Sequence, residues 1–593
     1  MKVSRRPKVL SFLLTSLLIS AFQAGMSYAQ RPAGSVIVLR GATVIDGLGN
    51  PPLSDAVLVI EGDEIKSILS GGDSDYPAGA TILDLRGKFI IPGLIDSHVH
   101  WSKWMGELYI NHGVTSLLAQ ADVSQEERRA SQTSMSTPRV FHTGGRPQLS
   151  PSMTREEVRQ AIQEYLKKEP DVAWFTQFRE NNRQMFGWGA EEVHRAGLAV
   201  FSHAQDASQA IDAGMDVAEH VWGFAFPLMT PQELEDFKKG RFLHWASYLT
   251  PGDRLDEMIR KAVARGVYLN PTLVYEWGSM SPKALQREQE GYLLLSNPDL
   301  SYFPKNLAEM LLHRHRQIKG YSSRYEHLPL VAQLSAGDLE TFQGARHNVQ
   351  RLVQRYVQLG GKVIAGTDAS SVAIPGLAMH HEMELLVEAG LTPLQALQAS
   401  TSWAADMFAG IQGARGNQKV GSIQEGNFAD LLVLEANPLD NIANTKKIER
   451  VMKGGKFLEF GYHPDFFTFT RPVGISMSTP LPKISSISPH STIEGSRSFE
   501  LVIEGAGFVG TSVVQVEGIS LATTFESPRK LKATIPASMV ERALPDRYRS
   551  PGPDQYVGIF GDRVLSITVY TPPPTGGVSD SVSLLVRARW HSE

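Results

Sequence analysis

The stretch FIIPGLIDSHVH, Phe89–His100, decides the fold: an apolar run passes through a Pro-Gly break, becomes apolar again and ends in two histidines, His98 and His100. A strand that runs into polar tips reads as one stave of a parallel barrel, whose chemistry sits at the C-terminal ends of its strands. Three later runs end in the same way. GLAVFSH closes on His203, GMDVAEH on His220 and GKVIAGTD on Asp368. His98 and His100 lie two apart, so strand geometry puts both on one face. By contrast, HRH at His313–His315 sits in a polar helical stretch, where residues two apart diverge, and reads as surface. One polar strand tip alone is most simply a hydrogen-bonded core residue. Five at four tips point to a shared centre.

From about Leu94 to Arg415, strand-like runs alternate with helical segments such as REEVRQAIQEYLKK and LTPLQALQASTSWAADMF, the pattern of parallel strands with crossover helices. The flanks read differently. VIVLRGATVID, AVLVIEGDEIKSIL and ATILDLRGKFIIPG before the alternating region, and GSIQEGNFADLLVLEANPL and IERVMKGGKFLEF after it, are short β-rich runs broken by Gly, Asp and Pro. The expected class is therefore α/β: a (β/α)8 TIM-like barrel over 94–415, with one small composite β-sandwich assembled from 30–93 and 416–465. A Pro- and Ser-containing linker is expected over 466–482. Beyond it, 483–593 carries evenly spaced short strands, expected as an immunoglobulin-like β-sandwich.

At 593 residues the chain exceeds a single core. A net charge of −4 and no Lys/Arg-rich run in the mature region offer no field for nucleic acid. The N-terminus places Lys2, Arg5, Arg6 and Lys8 before an apolar run from Val9 to about Phe22 and a small-residue site at Ser27-Tyr28-Ala29, the three parts of a cleaved leader over 1–29. The expectation is a secreted or periplasmic chain with no membrane span once mature. With no cysteine there is no disulfide and no thiolate ligand, so a metal must rest on His, Asp, Glu or a modified Lys. A homo-oligomer is the default state.

PGLIDSHVH, the strand-tip histidines and the late GTDAS resemble the metal-dependent amidohydrolase superfamily, in detail its imidazolonepropionase-like branch, which includes prolidase-like peptidases. TPRVFHTGG, GVYLNPTLV, HHEMELLVEAGLTPLQALQASTSWAADMFAG and GSIQEGNFADLLVLEANPL carry the same resemblance, which spans about Ser35–Phe460. FELVIEGAGF, TIPA and TPPPTGGVSDSVSLLV look like an IPT/TIG domain, an immunoglobulin-like module. The resemblance implies that His98, His100, His203 and Asp368 bind one metal, zinc above others, and that His220 binds a second ion or faces substrate. It further implies that Asp368 moves the proton of a metal-activated water and that His220 polarises the carbonyl of an amide, cyclic amide or peptide-like substrate.

One departure stands out. Two-metal members carry a carboxylated lysine on the fourth strand, where this chain reads Trp174-Phe175-Thr176-Gln177-Phe178. One ion is the simplest reading; Thr176 or Gln177 lending a neutral oxygen to a second ion, and lost activity, stand beside it. His142, Tyr275 and Arg146 are expected at strand ends within reach of substrate, with His142 and Tyr275 the named substrate-binding candidates. Glu219, next to His220, is expected to point away from the lumen by alternation. Two alternatives remain open: a prolidase-like dipeptidase, which needs a basic residue for a free carboxylate, and an inactive barrel serving as a binding or adhesion scaffold.

Overall fold

A computed structural model of the chain describes residues 36–71, 76, 79–175, 177–238, 246–277, 281–295, 297–300, 302–303, 336–369, 373–410, 413–463, 482–510, 512–517, 519–540, 563–571 and 577–587. The expected leader (1–29), His313–His315 and all but the last residue of the expected linker lie outside the described residues.

Among the described residues, eight parallel strands occupy the middle of the chain. Three form one sheet, β1 (Leu94–Val99), β2 (Val114–Ala119) and β3 (Arg139–His142). Five form another, β4 (Ala173–Trp174), β5 (Val200–His203), β6 (Val217–Glu219), β7 (Tyr268–Asn270) and β8 (Lys362–Val363). Backbone bonds join the two sheets at both edges. Asp171 N donates to His142 O at 2.8 Å between β3 and β4, while Ser97 N donates to Ala365 O at 2.9 Å and Asp368 N to His98 O at 3.0 Å between β1 and the chain leaving β8. One apolar cluster draws on seven of these strands, through Ile95, Leu118, Phe141, Trp174, Phe201, Val217 and Tyr268, and on Ile364 just after β8, and Met407 and Phe408 of the helix Ser402–Phe408 join it. This pattern fits a (β/α)8 barrel.

The surrounding helices start where their capping residues dictate. Thr154 and Thr392 each form a reciprocal capping box, with Glu157 and Gln395, and Asp206 accepts from Gln209 N. The longest separation between consecutive strands of the central unit lies between β7, which ends at Asn270, and β8, which begins at Lys362. Among the described residues no helix is long and apolar enough to cross a membrane.

The flanks meet in one hydrogen-bonded network of eight strands that curls back on itself: Ile65 N donates to Asn427 O at 2.9 Å and Ala429 N to Asp63 O at 2.8 Å, returning the far strand, Glu64–Ser70, to the segment that leads into Leu431–Leu434. Phe89–Pro92 pairs antiparallel with Leu431–Leu434, joining the N-terminal strands to the C-terminal ones. Alternation then sorts the side chains: Ile91, Leu432, Leu434 and Val451 face the large core shared with the central unit, while Ile90, Leu431, Val433 and Met452 enter a second cluster with Leu39 and Leu58. Gly41, at φ 84°, marks the irregularity that lets Val36–Val44 pair first with Thr81–Asp84 and then with Phe89–Ile90. Arg139 of β3 is locked to this sheet by a buried bidentate pair with Asp430, Nε–Oδ2 2.8 Å and Nη2–Oδ1 3.1 Å. The buried Lys453 ammonium donates to the carbonyls of Ser131, Ser134 and Thr137.

Beyond the linker, a four-stranded and a six-stranded sheet cover one apolar cluster that includes Leu501, Ile503 and Leu531 from the first and Val514, Ile567 and Leu584 from the second. Tyr570 donates its hydroxyl to Asp299 Oδ2 at 2.7 Å, a contact back to the central unit.

Candidate metal centre

The C-terminal ends of the strands bring four of the five expected ligands together around one carboxylate. Asp368 Oδ1 lies 3.0 Å from His100 Nε2 and 3.3 Å from His98 Nε2, and its Oδ2 lies 4.0 Å from His220 Nε2. His98 is 1% exposed, whereas the His100 side chain is 43% exposed, so the cluster has a buried floor and an open side. Asp96 holds these parts in register. Its carboxylate accepts from His98 N at 3.2 Å, Thr367 N at 3.0 Å and Thr367 Oγ1 at 2.6 Å, tying β1 to the segment that delivers Asp368. Gly366 makes the approach possible, since a Cβ there would stand 2.6 Å from Asn270 Nδ2 and 2.9 Å from His98 Cβ.

His220 is fixed on three sides. Its Nδ1 shares a hydrogen bond with Thr272 Oγ1, its ring stacks on Trp222 at 4.5 Å and 12°, and Tyr275 lies 5.7 Å away. His203 is the outlier of the set. Its ring packs 5.0 Å from His220 and 5.7 Å from Trp222, outside the tight group of His98, His100 and Asp368.

Three non-glycine residues here adopt left-handed backbone: His220 at φ 57°, Thr272 at φ 45° and Asp368 at φ 51°. Such conformations cost about 1–3 kcal/mol each and persist where the surroundings enforce them. They also explain a corrected expectation. Glu219 does not point outward: its Oε1 lies 2.8 Å from His98 Nδ1 and 3.9 Å from His220 Nδ1. In register with His203 and Asn270, Glu219 takes the inward face, and His220 is turned inward as well because the chain leaves the strand in the left-handed region, where alternation no longer applies.

Electrostatics divide the imidazoles. Burial disfavours a charged His98, but Glu219 and Asp368 outweigh it and carry its pKa up to about 9. Burial pushes His220 down to about 3 and, with repulsion among the neighbouring imidazoles, holds His203 well below its ordinary value. For Asp368, burial works upward, yet His98, the hydrogen bond from His100 and His220 hold it below the usual carboxylate range. Burial raises Glu219 to about 7 and Asp96 to about 6.

The donor set fits a divalent cation. One atom from each of His98, His100 and Asp368 lies within 4.8 Å of the others, and His98 Nε2 is buried without a hydrogen-bond partner in the protein. Two imidazole nitrogens and a carboxylate oxygen match the ligand preference of zinc.

The other sequence candidates separate. His142 is fully buried with both ring nitrogens committed, Nδ1 accepting from Val123 N at 3.3 Å and Nε2 lying 3.0 Å from Glu169 O. Those contacts tie it to the backbone of Val123 and Glu169. Tyr275 stands beside His220, on the helix Leu273–Glu276. Gln177 Oε1 already accepts from Arg179 at 3.3 and 3.1 Å, which weakens it as a ligand, and Thr176 lies outside the described residues. Trp174 packs 6.1 Å from His100, with the exposed Arg146 guanidinium 3.8 Å above its ring. Sequence reasoning overlooked Asp96, Thr272 and Trp222. The first two have one legible signal, a polar residue inside or just past an apolar strand run.

Short stretches resemble curated enzymes. N-acyl-D-aspartate deacylase of Alcaligenes xylosoxydans xylosoxydans is 38% identical over 69 residues, 12% of this chain and 13% of that protein. Ochratoxinase of Aspergillus niger is 32% identical over 130 residues, 21% of this chain and 23% of that one. The chain thus aligns with less than a quarter of either relative. Among solved structures, a Bifidobacterium longum protein provisionally assigned as a prolidase superposes with a TM-score of 0.50 at 22% identity, covering 73% of this chain and 96% of its own, a likeness of fold. The amidohydrolase family model matches residues 113–458, a span that runs from the turn before β2 through His203, His220 and Asp368 into the closing sheet. More than half of the sequence is accounted for by that one match, and the chain belongs to the amidohydrolase family.

Proposed function

We propose that the protein is an exported, metal-dependent hydrolase of C–N bonds in amide, cyclic-amide or peptide-like substrates, built on a closed (β/α)8 barrel with an immunoglobulin-like C-terminal module. The observation that carries this reading is the convergence of His98, His100 and Asp368 within 4.8 Å, with His220 on the far oxygen of the same carboxylate. The stretch shared with N-acyl-D-aspartate deacylase supports an acyl–nitrogen bond as the target. His98, His100 and Asp368 would hold one ion, zinc for preference, with His203 as the further imidazole; when bound it supplies Lewis acidity and a water that loses its proton near neutral pH.

The chain's own residues do the rest. Asp368 stays ionised at neutral pH and turns Oδ2 toward His220, so it can take a proton from water and return it to the departing nitrogen. A neutral His220 polarises a carbonyl only if Nε2 carries the proton, which requires the Thr272 hydroxyl to donate to Nδ1. Trp222 and Tyr275 fix the imidazole plane and narrow water's access to it.

A second, narrower reading, a prolidase-like dipeptidase, is favoured by Arg146. Its exposed guanidinium sits over Trp174 beside His100, and its charge also reaches His203, so a free substrate carboxylate has a cation at the mouth.

One experiment addresses both. Metal content of the purified full chain is measured, and dipeptides, N-acyl amino acids and lactams are assayed before chelation, after it and after zinc is restored. Stoichiometric metal with chelator-sensitive turnover is expected; a metal-free, inert protein would favour the scaffold alternative. In the same panel Arg146→Met should raise KM about tenfold or more for substrates with a free carboxylate, the scale of one charged hydrogen bond, and leave their amidated counterparts unchanged. Equal effects on both sink the dipeptidase reading.

A further inference from the structure

We propose that Glu219 is the positioning residue of this centre: its buried carboxylate holds the His98 imidazole in the tautomer and orientation that present Nε2 to Asp368 and to a bound cation. The proposal rests on the reading of His98 as a ligand, and it adds a residue that neither the family resemblance nor strand alternation assigns.

An imidazole that gives the lone pair of Nε2 to a cation must carry its proton on Nδ1, and that N–H needs an acceptor in a buried site. Around His98 the surroundings are apolar on one side, where Phe201 meets the ring edge-on at 5.7 Å. The acceptor within reach of Nδ1 is Glu219 Oε1 at 2.8 Å, across the ring from the Nε2 that faces Asp368 at 3.3 Å. The contact is close but out of line with the N–H, so a small turn of the ring completes the bond; the backbone N–H of His220 is the other donor near this fully buried carboxylate. A buried carboxylate without compensation is strongly disfavoured, and His98 is what compensates it. Backbone pairing makes the placement firm, because Glu219 is in register with His203 on one side and Asn270 on the other. Glu219 lies outside the tight group of His98, His100 and Asp368, so it orients a ligand and is not one.

Glu219→Gln keeps the shape and an acceptor oxygen but loses the charge; Glu219→Ala loses both. In the full chain, zinc affinity is measured by competition with a chromophoric chelator, and the visible spectrum is recorded after cobalt(II) replaces zinc. Thermal unfolding of the zinc-free forms shows which variants are folded. Glu219→Ala should bind zinc about tenfold to a hundredfold more weakly, Glu219→Gln should lose less, and both should shift the cobalt bands. If the alanine variant does not fold, the isosteric glutamine variant decides alone. Unchanged affinity and an unchanged cobalt spectrum in the folded variants overturn the role of Glu219 and leave the metal centre standing. An unaltered chain that takes up neither zinc nor cobalt overturns the metal reading, and this proposal with it.

Discussion

Thr272 shows how a single residue is held against its own preferences. It is β-branched, yet it sits at φ 45° and ψ 51°, and it spends that strain on directing its hydroxyl to His220. Glu382 enforces the conformation from behind, its carboxylate accepting from Leu273 N at 2.9 Å and Val274 N at 2.6 Å. Thr272→Gly relieves the backbone but adds unfolded-state freedom of about 1 kcal/mol, so stability should change little. Activity should nonetheless fall at least about tenfold, because His220 loses the partner that fixes its proton. Comparing denaturant midpoints with kcat/KM checks the split; a parallel loss of stability and rate contradicts it. At this scale the strand-tip histidines and Asp368 were legible, since an apolar run ending in a ligating side chain is visible in one dimension. Glu219 was not, because reading it requires knowing that the strand stops there and that His220 turns into the left-handed region. His142 shows the same limit: a strand-tip histidine reads alike in sequence whether its nitrogens face a pocket or, as here, a backbone amide and a backbone carbonyl.

Among the elements, the joint between β3 and the eight-stranded sheet is the most exposed to a single change. Arg139 and Asp430 are 3% and 4% exposed, and Asp430 Oδ1 also accepts from Gly454 N at 2.7 Å. Asp430→Ala leaves the guanidinium buried without its partner, and the expected loss is about 3–5 kcal/mol by chemical denaturation. A loss below about 1 kcal/mol, the scale of exposed pairs, would mean that water reaches the site. The apolar runs that close on His98, His203 and Asp368 stood out in the sequence, although the last of them forms only the two-residue strand Lys362–Val363, and β4 spans only Ala173–Trp174. Tertiary context also decides His380 and His381: the helix Leu377–Glu388 begins directly after Gly376, and both imidazoles are buried within it against Thr445 and Glu290.

At the level of the whole molecule, the C-terminal region keeps its own apolar cluster and touches the central unit through Tyr570 and Asp299. A chain ending near residue 481 should therefore fold and turn over substrate like the full-length protein, which an assay with matched metal content would check. Lost turnover in a folded, metal-loaded truncation would assign that region a part in catalysis. Composition shifts and turn spacing are what the sequence offers for such divisions; which strands pair across the chain, as Phe89–Pro92 does with Leu431–Leu434, is not written in the alternating pattern of either stretch.

The seam between Phe89–Pro92 and Leu431–Leu434 carries a consequence for biogenesis. A ribosome delivers the first partner long before the second, so the nascent N-terminal strands wait with an unsatisfied edge until the central parallel strands have emerged. Maturation is thus completed only after translation has passed the far flank. Any premature stop upstream of Leu431 leaves a β-edge open to pairing with another copy of itself.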